Sequence, residues 1–536
     1  MENNLDILIL AGGDIRNKFS YVKNNCSCPA LIPINTKPIV SYILEFYANH
    51  SDQWERIFLV VNKKEIQSVS KEISVFLNDE RVLLVGVGDT IGVIDTLDKA
   101  LKDIKPSGEV IINLVTTVPT SFPDAQEVQL SELENRNDEW SVIQTTDHAF
   151  RVYPKVSEKS VVGNAFTGLF RANSTVLLDV LKTTESQDLV ELIQPLATRE
   201  KILFCPVEWI DCGHEINYVE AKKKLINSRA FNQISVSDTG VLTKSSENAD
   251  KLRKEVDYVE KLPKPLSLYF PRILDSYSQG DRHFVEMEFH PYPNLAEITL
   301  YWEVNEKIWD KIFTRFQSIL TEFAQTEGQI SQKSYMEMYL DKTLDRLNDF
   351  HGQRTDEKLN QETIEINGKS YLNVDFFKDQ LQNHFGERYG SERFHIMHGD
   401  FCFNNLLYDI PSDSLKLIDA RGSFGNGFSI YGDRNYDIAK LVHSSVFGYD
   451  YLVNDLFELT ETETGFQLEL NWRENRELLT QKTETLIDTL KVDKKHVYLI
   501  TALLFLSMTP LHSDSSRRQI AMFLTGIQLL NDTLSE

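Results

Sequence analysis

Two apolar runs in the last third of the chain each end in polar residues, and these stretches constrain the fold more than any other feature. The first run, residues 394–397, leads into a loop that carries Asp400 and, five positions later, Asn405. The second run, 415–418, ends at Asp419. Short apolar runs bounded by glycine and other turn residues are typical of buried strands. The pattern therefore predicts two strands whose loops present an amide and two carboxylates.

These three polar side chains are of the kinds that phosphoryl transfer requires. One carboxylate can accept the proton of an attacking alcohol, while an amide and a second carboxylate hold Mg²⁺, which neutralises charge on the phosphates of ATP. Asp400, Asn405 and Asp419 supply these groups in that order along the chain. The alternative interpretation is a structural turn in which the aspartate or the asparagine caps its own backbone.

The stretch resembles the catalytic segment of the aminoglycoside phosphotransferase and choline kinase family, small-molecule kinases with a fold similar to that of protein kinases. The residues that carry the resemblance are His398-Gly399-Asp400, Asn405, Ile418-Asp419 and the segment 432–439. It implies that Asp400 is the catalytic base and that Asn405 and Asp419 are ligands of Mg²⁺. It also implies that Asp433 and Asp437 brace the catalytic loop rather than act on substrate.

The length and charge of the chain limit the class of protein. At 536 residues the chain exceeds one ordinary domain, and its 41% hydrophobic and 25% charged residues are typical of a globular protein. With 56 basic and 80 acidic side chains, it carries a net charge of −24. This charge repels polyanions at long range, so neither nucleic acid nor an anionic membrane surface is an expected partner.

The sequence shows no pattern for secretion or membrane insertion. Its first six residues lack a basic region that leads into an apolar one, and the longest apolar run, 498–508, is too short to span a bilayer. Five cysteines, a small and odd number for this length, are typical of a reducing compartment. These features predict a cytoplasmic protein.

Residues 1–225 alternate between strand-like and helix-like segments and are predicted to form the first domain. Apolar strand-like runs occur at 5–10, 57–61, 82–85 and 110–115, with helical patterns such as 96–101 between them. This alternation predicts βαβ units and a largely parallel sheet. The first run enters a turn at Gly12 and Gly13, a common way to bring backbone N–H groups up to a phosphate.

This first region resembles the sugar-phosphate nucleotidyltransferases, α/β enzymes with a Rossmann-like, GT-A-like fold. The segments that carry the resemblance are 11–16, 29–45, 88–94, 166–170 and 208–214. The resemblance implies that Gly12, Gly13 and Arg16 belong to a nucleotide-binding loop. It also implies that Asp211 is one of two acids that bind a metal ion.

Departures from the pattern of that family fall on the residues that carry its chemistry. The glycine loop is one residue short, Pro29 stands where the family places a lysine, and residues 113–117 lack the usual Gly-Asp. Losing that cation and that acid removes the electrostatic stabilisation on which nucleotidyl transfer depends. Lys23 or Lys37 could substitute, although the family commonly has a lysine at the position of Lys37 in any case. We therefore expect a degenerate domain with a vestigial transferase site that binds a ligand or positions a partner.

Residues 226–536 are predicted to form a second domain, bilobal and α+β like a protein kinase. Its predicted parts are a small lobe at 226–290 and a helical lobe at 291–536. The resemblance implies that Lys244, at the end of a strand, contacts the phosphates of ATP and is held by Glu255 from the following helix. Glu260 is the competing partner, and a solvated charged helix face is the alternative for the glutamate.

Several other residues of the second domain are candidates for binding nucleotide or substrate. The segment 228–232, which ends at Asn232, would lie over the phosphates in place of a glycine-rich loop. Backbone groups near Glu286 and Glu288 would bind the adenine edge, unless that strand is only part of the core. Arg421 is a candidate for contacting a phosphate or a carboxylate of the acceptor, with a structural ion pair as the alternative.

Two segments of the second domain are expected to lie away from the site. Residues 352–369 are polar and are predicted to form a surface excursion. The chain from residue 452 to its end is predicted to consist of helices that pack the helical lobe.

The combined pattern predicts an ATP- and Mg²⁺-dependent phosphotransferase that phosphorylates a hydroxyl of a small molecule. The acceptor would be a sugar, a polyol, a choline-like alcohol or a hydroxy acid, and the fusion resembles enzymes that supply precursors of bacterial capsule and surface polysaccharides. One alternative is a bifunctional enzyme that also transfers a nucleotide and makes a nucleotide-activated building block. Another is a non-catalytic binding protein, a pseudokinase joined to a pseudo-transferase.

Overall fold

The chain forms two compact units. A computed structural model describes residues 5–13, 28–132, 140–146, 149–155, 163–225, 232–237, 239–352 and 357–535. The two units are Met1–Leu225 with Tyr301–Glu303, and Ile226–Leu300 with Val304–Glu536. Within the described ranges, no helix is both long enough and apolar enough to cross a membrane.

The first unit is an α/β structure. Its described strands are β1 (Leu5–Ala11), β2 (Pro33–Ile34), β3 (Lys37–Pro38), β4 (Arg56–Asn62), β5 (Val82–Val87), β6 (Glu109–Leu114), β7 (Thr117–Val118), β8 (Glu127–Ser131), β9 (Val142–Thr145), β10 (Phe150–Tyr153), β11 (Asn164–Asn173), β12 (Leu203–Pro206) and β13 (Ile210–Asp211). Its described helices are α1 (Ile39–Ala48), α2 (Ile66–Glu72), α3 (Val93–Ile104), α4 (Ser174–Leu181), α5 (Ile193–Ala197) and α6 (Glu215–Lys224).

The main sheet of the first unit is Rossmann-like in one half and mixed as a whole. Its order is β10-β9-β11-β6-β1-β4-β5, with β8 paired to β11 and β12 to β8. The strands β6, β1, β4 and β5 are parallel, whereas β11 runs antiparallel to β6, β8 and β9. The expectation of a largely parallel sheet is therefore wrong. Within the described residues no helix lies between β6 and β11, and antiparallel strands can be joined without the helical crossover that parallel strands require.

Strand β1 lies in the centre of this sheet, and helices cover both of its faces. All seven of its residues are buried, as expected for a parallel strand with two covered faces. Ile7 packs in the same apolar cluster as Ile43 of α1, whereas Leu8 packs with Leu97 of α3. The carboxyl end of this rigid strand therefore presents the following glycines at a fixed edge of the sheet.

The second unit combines small sheets with many helices. Its described strands are β14 (Asn232–Val236), β15 (Val241–Ser246), β16 (Ile273–Gln279), β17 (Arg282–Glu288), β18 (Glu327–Gly328), β19 (Thr363–Ile366), β20 (Lys369–Leu372), β21 (Phe394–Ile396), β22 (Leu406–Asp409), β23 (Ser414–Leu417), β24 (Ser423–Phe424), β25 (Gly427–Phe428), β26 (Tyr431–Asp433), β27 (Phe457–Glu461) and β28 (Gly465–Leu470). Its described helices are α7 (Ala249–Lys261), α8 (Lys264–Ser267), α9 (Leu295–Tyr301), α10 (Glu306–Phe323), α11 (Gln332–Met336), α12 (Lys342–Gly352), α13 (Lys378–Tyr389), α14 (Arg434–Ser445), α15 (Tyr449–Val453), α16 (Arg476–Leu490), α17 (Lys494–Met508) and α18 (Ser516–Ser535).

The N-terminal part of this unit is a four-stranded antiparallel sheet covered by a helix. The strand order is β14-β15-β17-β16. Helix α7 packs Leu252 and Val256 against Val285 and Met287 of β17. Asn248 caps the start of α7 by accepting a hydrogen bond from the N–H of Lys251. This packing holds α7 beside the sheet that carries Lys244.

The larger part of the unit surrounds two deeply buried helices, α14 and α17. Strand β21 pairs with β26, and β26 runs directly into α14. Because β21 and β26 are antiparallel, the loop after β21 lies beside the start of β26, where Ile396 is opposite Tyr431, whereas α14 begins at the other end of this pair. Strands β22 and β23 form a separate hairpin, with Leu406 opposite Leu417.

Two expectations for this unit are wrong. Residues 352–369 do not form a simple surface excursion, since β19 lies among them and β20 begins at Lys369. The chain after 452 contains β27 and β28 as well as helices. These strands form one sheet in the order β20-β19-β28-β27. In β19 the buried Ile364 and Ile366 alternate with Thr363, which is exposed, and Glu365, which is half-buried. This period of two, typical of a half-buried strand, is present in the sequence and was outweighed there by the polar composition.

Candidate active site

Lys244, Glu255 and Asp419 form an ion-paired group in the second unit. Lys244 Nζ lies 2.9 and 2.8 Å from the two carboxylate oxygens of Glu255, and 2.8 Å from Asp419 Oδ1. The side chain of Lys244 is only 6% exposed, whereas that of Asp419 is 51% exposed. Strand β15 supplies the lysine and helix α7 supplies the glutamate, so the packing of α7 on the sheet sets their separation.

The charges of this group stabilise one another. Burial would lower the pKa of Lys244, but the carboxylates of Asp419 and Glu255 raise it well above its ordinary value. Burial would likewise raise the pKa of Asp419, but Lys244 holds it below its ordinary value. Asp419 is therefore a partly exposed, ionised carboxylate, and its second oxygen is the atom best placed to accept a cation.

Asp400 lies in the loop after β21 and has two side-chain partners. Its Oδ1 lies 2.9 Å from Lys440 Nζ of α14, and its Oδ2 accepts a hydrogen bond of 2.9 Å from Asn405 Nδ2. Burial would raise the pKa of Asp400, but the Lys440 ammonium, with smaller contributions from His398 and Arg421, holds it well below its usual range. Asp400 is therefore an oriented, fully ionised carboxylate.

The hairpin β22–β23 brings Asn405 next to Asp419. The N–H of Ile418 donates to Asn405 O over 3.0 Å, directly beyond the last paired residues of the hairpin. Asn405 Nδ2 donates to both Asp400 O and Asp400 Oδ2, so the amide oxygen is the atom left to bind a cation. An amide oxygen beside a carboxylate is the kind of oxygen donor set that Mg²⁺ prefers. These two residues therefore fit the binding of Mg²⁺.

The conformation of the loop before Asp400 is held by the first turns of α14. The carboxylate of Asp437 accepts hydrogen bonds from the N–H of His398 at 2.7 Å and of Gly399 at 2.8 Å. Gly399 has φ +81°, and a Cβ atom there would lie 2.6 Å from Cβ of Arg421, so only glycine fits. Burial raises the pKa of Asp437 to about 7. This aspartate binds the loop backbone, as the sequence resemblance implies.

His398 is completely buried and packs as part of the core. Its ring stacks on Phe270 with centroids 5.8 Å apart, and its Nδ1 accepts a hydrogen bond from the N–H of Asp400. Burial lowers the pKa of His398 to about 4, so the ring is neutral near neutral pH. A neutral, enclosed imidazole positions the Asp400 loop and has no access to a substrate.

In the structure Lys244 pairs with one of its two candidate glutamates, whereas the predicted adenine-binding strand is not tested. Glu255 binds Lys244, whereas Glu260 is exposed on α7. The N–H of Glu288 donates to Arg272 O. Glu286 lies within β17, one of the two inner strands of its sheet, where it accepts a hydrogen bond from the Tyr277 hydroxyl. Recognition of a base through the N–H of Glu288 would therefore require that bond to break, and the assignment of Glu286 and Glu288 stays a prediction.

Some predicted positions lie outside what the structure describes. Arg16, Lys23 and residues 226–231 are among them. Asn232 begins β14, where its backbone pairs with Ser246. The predicted contact of this segment with nucleotide phosphates stays a prediction.

Lys440 is a functional candidate that the sequence reasoning missed. It lies three residues after Asp437 in the run Ile438-Ala439-Lys440-Leu441-Val442, which is buried throughout. A lysine enclosed by apolar residues of a helix is rare unless a carboxylate pairs with it. That rule was the available signal, although the sequence did not indicate Asp400 as the partner.

The first unit contains a cavity of about 840 Å³ at the carboxyl edge of its parallel strands. Among the residues that line it are Gly12, Gly13, Pro29 and Asp211. A Cβ atom at Gly12 would lie 2.7 Å from Cγ2 of Thr96, so the turn after β1 approaches helix α3 as closely as glycine allows. The predicted glycine turn and the predicted Asp211 therefore border one cavity.

Asp211 is already enclosed by hydrogen-bond donors of the protein. Its Oδ2 lies 2.6 Å from His214 Nδ1 and accepts bonds from Trp140 Nε1 at 3.1 Å and Asn217 Nδ2 at 2.8 Å. Its Oδ1 accepts a bond of 2.9 Å from the N–H of Gly213. A carboxylate with four such partners is poorly suited to bind a metal ion, since the ion would have to displace them.

Lys37, which the sequence offered as a substitute cation, does not contribute to this cavity. Its Nζ forms an ion pair with Glu45 Oε1 at 2.6 Å, and Lys37 is not among the residues that line the cavity. Within residues 113–117, which lack the usual Gly-Asp, Thr116 and Thr117 line the cavity, while Asn113 Oδ1 accepts a hydrogen bond from the Tyr47 hydroxyl. The described part of this cavity thus has a ligand-sized volume, and Asp188, Glu191 and Asp211 are among the residues that line it.

Among known proteins, only solved structures show a resemblance to this chain. No protein-family model matches the chain, and no curated protein matches it. Solved structures that resemble part of the chain include a protein described as a glucose-1-phosphate thymidylyltransferase from Bacillus anthracis, in complex with a sucrose. It is 15% identical and has a TM-score of 0.35, over 42% of this chain and 97% of that one.

Two further structures show a similar degree of resemblance. A nucleoside-diphosphate-sugar pyrophosphorylase from Vibrio cholerae is 14% identical over 40% of this chain and 99% of that one, with a TM-score of 0.34. HddC from Yersinia pseudotuberculosis, complexed with GMP-PN, is 18% identical over 41% of this chain and 98% of that one, with a TM-score of 0.30. At TM-scores below 0.5, these similarities do not by themselves establish a shared fold or activity.

Proposed function

We propose that the second unit is an ATP- and Mg²⁺-dependent phosphotransferase that acts on a hydroxyl group of a small molecule. The observation that carries the proposal is the convergence of two ionised carboxylates, each paired with a buried lysine. Asp419 pairs with Lys244, and Asp400 pairs with Lys440. Asn405 connects these two ion pairs, because its side chain donates a hydrogen bond to Asp400 and its backbone lies beside the residue that precedes Asp419. This arrangement provides a metal-binding side and an acceptor side within one site.

The residues on the metal-binding side would bind the nucleotide. Lys244, held by Glu255, would contact the phosphates of ATP, and Asn405 and Asp419 would hold Mg²⁺. The bound metal ion would supply charge neutralisation on the phosphates. Asp419 has φ +59°, a left-handed conformation that aspartate adopts more readily than most residues, so its carboxylate is directed by a rigid backbone turn.

Asp400 would orient the attacking hydroxyl on the acceptor side. In the reaction the acceptor oxygen forms a bond to the γ-phosphorus, the bond from that phosphorus to the bridging oxygen breaks, and ADP leaves. The hydroxyl proton passes through Asp400 to solvent. A carboxylate whose pKa is held so low is a weak base, so we infer that Asp400 mainly orients the hydroxyl and accepts the proton late.

A panel of alcohols tests this proposal directly. ATP consumption and product mass are measured with sugars, polyols, choline-like alcohols and hydroxy acids, for the wild-type chain and for Asp400→Asn. We expect turnover with at least one acceptor and a loss of roughly 10²- to 10⁴-fold in Asp400→Asn. Asp375→Asn, which alters an exposed carboxylate paired with Lys378, is the matched control. Full turnover in Asp400→Asn would refute the mechanism.

We propose a second role for the first unit, namely that it binds a nucleotide or sugar phosphate without transferring it. The observation in favour is the 840 Å³ cavity combined with the fully bonded carboxylate of Asp211. Calorimetry with nucleoside triphosphates and sugar phosphates should detect binding, while no pyrophosphate is released from any pair of them. Release of pyrophosphate would instead establish the bifunctional alternative. The phosphorylated alcohol and the nucleotide-activated building block would then both serve surface-polysaccharide synthesis.

A further inference from the structure

Two cations contact Tyr436, next to the pair formed by Asp400 and Lys440, and a third cation lies one helical turn from one of them. Arg421 Nη1 donates to the Tyr436 hydroxyl at 3.3 Å, and Lys342 Nζ lies 5.4 Å from the centroid of its ring. The third, Arg346, follows Lys342 by one turn of α12. Tyr436 precedes Lys440 by four residues on α14, so both lie on one face of that helix. We call Lys342, Arg346 and Arg421 the cation cluster.

Arg421 joins the cation cluster to the Asp400 loop. Its backbone N–H donates to His398 O at 2.9 Å. Its Cβ occupies the space beside Gly399, where an added Cβ atom would lie only 2.6 Å away. The Cβ end of the Arg421 side chain therefore packs against Gly399, the residue that precedes Asp400. Its guanidinium projects from that fixed point to Tyr436 and Ser423.

Within the described residues, no carboxylate lies within ion-pair distance of any member of the cation cluster. Among these residues, the hydrogen-bond acceptors of the three side chains are uncharged, namely the Tyr436 hydroxyl, Ser423 Oγ, Ser507 O and Met338 Sδ. All three side chains are half-buried. In a chain with 80 acidic residues, neighbouring cations that lack carboxylate partners are not explained by structural ion pairing. This result favours a substrate contact for Arg421 over the structural ion pair.

The like charges of the cluster repel one another. Burial and then the charges of Arg421, Arg346 and Lys440 hold the pKa of Lys342 well below its ordinary value, and the opposing effect of the Asp400 carboxylate is smaller than theirs. Burial and then Arg421 also lower the pKa of Arg346. Half-buried cations that repel each other are unfavourable until an anion joins them. The guanidinium groups of two arginines, with their planar sets of donors, match the oxygens of phosphate and carboxylate.

We infer that the acceptor is an alcohol with a second, anionic group, a phosphate or a carboxylate, which the cation cluster binds while the hydroxyl lies at Asp400. The inference rests on the proposed phosphotransferase function and names its class of substrate. Neutral sugars and polyols and cationic choline-like alcohols are then poor substrates. The γ-phosphate of ATP is the other possible source of an anion at this place, and the experiment below separates the two.

The test compares alcohols that differ only in an anionic group. Calorimetry on the full chain measures the dissociation constants of glycerol, glycerol 3-phosphate and glycerate, of ribitol and ribitol 5-phosphate, and of glucose and glucose 6-phosphate. We expect the anionic member of at least one set to bind roughly tenfold to hundredfold more tightly than its neutral partner. Equal affinities throughout, tighter binding of the neutral members, or no binding by any compound would overturn the inference.

Variants of the cation cluster test whether these residues cause the preference for anionic alcohols. Arg421→Gln and Lys342→Met should remove most of the preference, and Arg421→Lys should retain part of it because it keeps the charge. Arg393→Gln, which alters an exposed arginine paired with Glu327, is the matched control and should leave the preference unchanged. A preference for the anion that survives Arg421→Gln combined with Lys342→Met would overturn the inference.

Two further readouts separate this inference from the proposed function. If the cluster variants raise the KM for ATP and leave that for the alcohol unchanged, the cluster binds ATP and the inference is overturned. Asp400→Asn should retain the preference in binding while it loses turnover. If the wild-type chain prefers anionic alcohols yet phosphorylates none of them, the anion site stands and the proposed phosphotransferase function fails.

Discussion

Replacing Lys440 with methionine removes the ammonium that faces Asp400 while keeping an unbranched side chain of similar length. Lys440 Nζ lies 2.9 Å from Asp400 Oδ1, and the lysine is only 6% exposed. Methionine fills the apolar surroundings of α14 without a large cavity. The substitution therefore leaves the Asp400 carboxylate without its cation and changes little else.

The expected loss of stability follows from the exposure of the two partners. Breaking a fully buried ion pair by removing one partner costs about 3–5 kcal/mol. Asp400 is 39% exposed, so water screens the carboxylate that remains. We therefore expect Lys440→Met to lower the free energy of unfolding of the second unit by roughly 1–3 kcal/mol. Urea unfolding followed by tryptophan fluorescence and circular dichroism measures this change.

The same substitution should change the pH dependence of the reaction. The folded-state pKa of Asp400 lies below the value near 3.9 of an unperturbed aspartate, so its ionisation stabilises the fold above that pH. This contribution is lost as the pH falls through the lower, folded-state pKa. Without Lys440 the pKa of Asp400 rises, because burial then acts with less opposition. The acidic limb of the kcat profile should therefore move to higher pH.

Control variants make this prediction refutable. Lys494→Met alters an exposed lysine paired with Glu484 and should change neither stability nor the pH profile. In the double variant of Asp400→Asn with Lys440→Met, the loss of stability should be smaller than the sum of the two single losses, because they remove the same pair. An unchanged pH profile together with unchanged unfolding of Lys440→Met would show that the pair does not set the charge of Asp400.

Three other predictions concern the remaining charged groups. Glu255→Gln should raise the KM for ATP roughly tenfold, because it weakens the ion pair that positions Lys244. Glu260→Gln should leave the KM for ATP unchanged, and equal effects of the two variants would contradict the pairing of Glu255 with Lys244. Asp419→Asn should raise the Mg²⁺ concentration needed for half-maximal activity, and an unchanged Mg²⁺ dependence would exclude it as a ligand. Asp211→Asn should destabilise the first unit by about 2 kcal/mol in thermal unfolding without loss of ATP turnover, because its bonds are structural; unchanged stability would contradict this.

Much of the candidate site could be predicted because its residues are close together in sequence. Asp400 and Asn405 lie between β21 and β22, and Asp419 follows β23, so strand patterns place all three residues near the ends of short strands. Glu255 could be assigned because α7 directly follows the strand of Lys244, although Glu260 on the same helix competed with it. Local spacing carries this information, since strand and helix periods determine which side chains share a face.

The residues that were missed depend on contacts distant in sequence. Lys440 reaches Asp400 from forty positions further along, and the cation cluster combines Arg421 with two residues of α12. The sheet that joins β19 to β28 also pairs segments about a hundred residues apart, and nothing local specifies such a partner. The mixed order of the main sheet was missed for the same reason, because strand patterns reveal where strands lie and not which strand pairs with which.

The central claim is that the second unit transfers the γ-phosphate of ATP to an alcohol at Asp400. Following radiolabelled γ-phosphate from ATP into the acceptor, with wild type and Asp400→Asn side by side, tests it most directly. We predict labelled phosphate ester from the wild-type chain, formed roughly 10²- to 10⁴-fold more slowly by Asp400→Asn. Label that never reaches an anionic or a neutral alcohol, or that reaches it equally fast in the variant, would contradict the account.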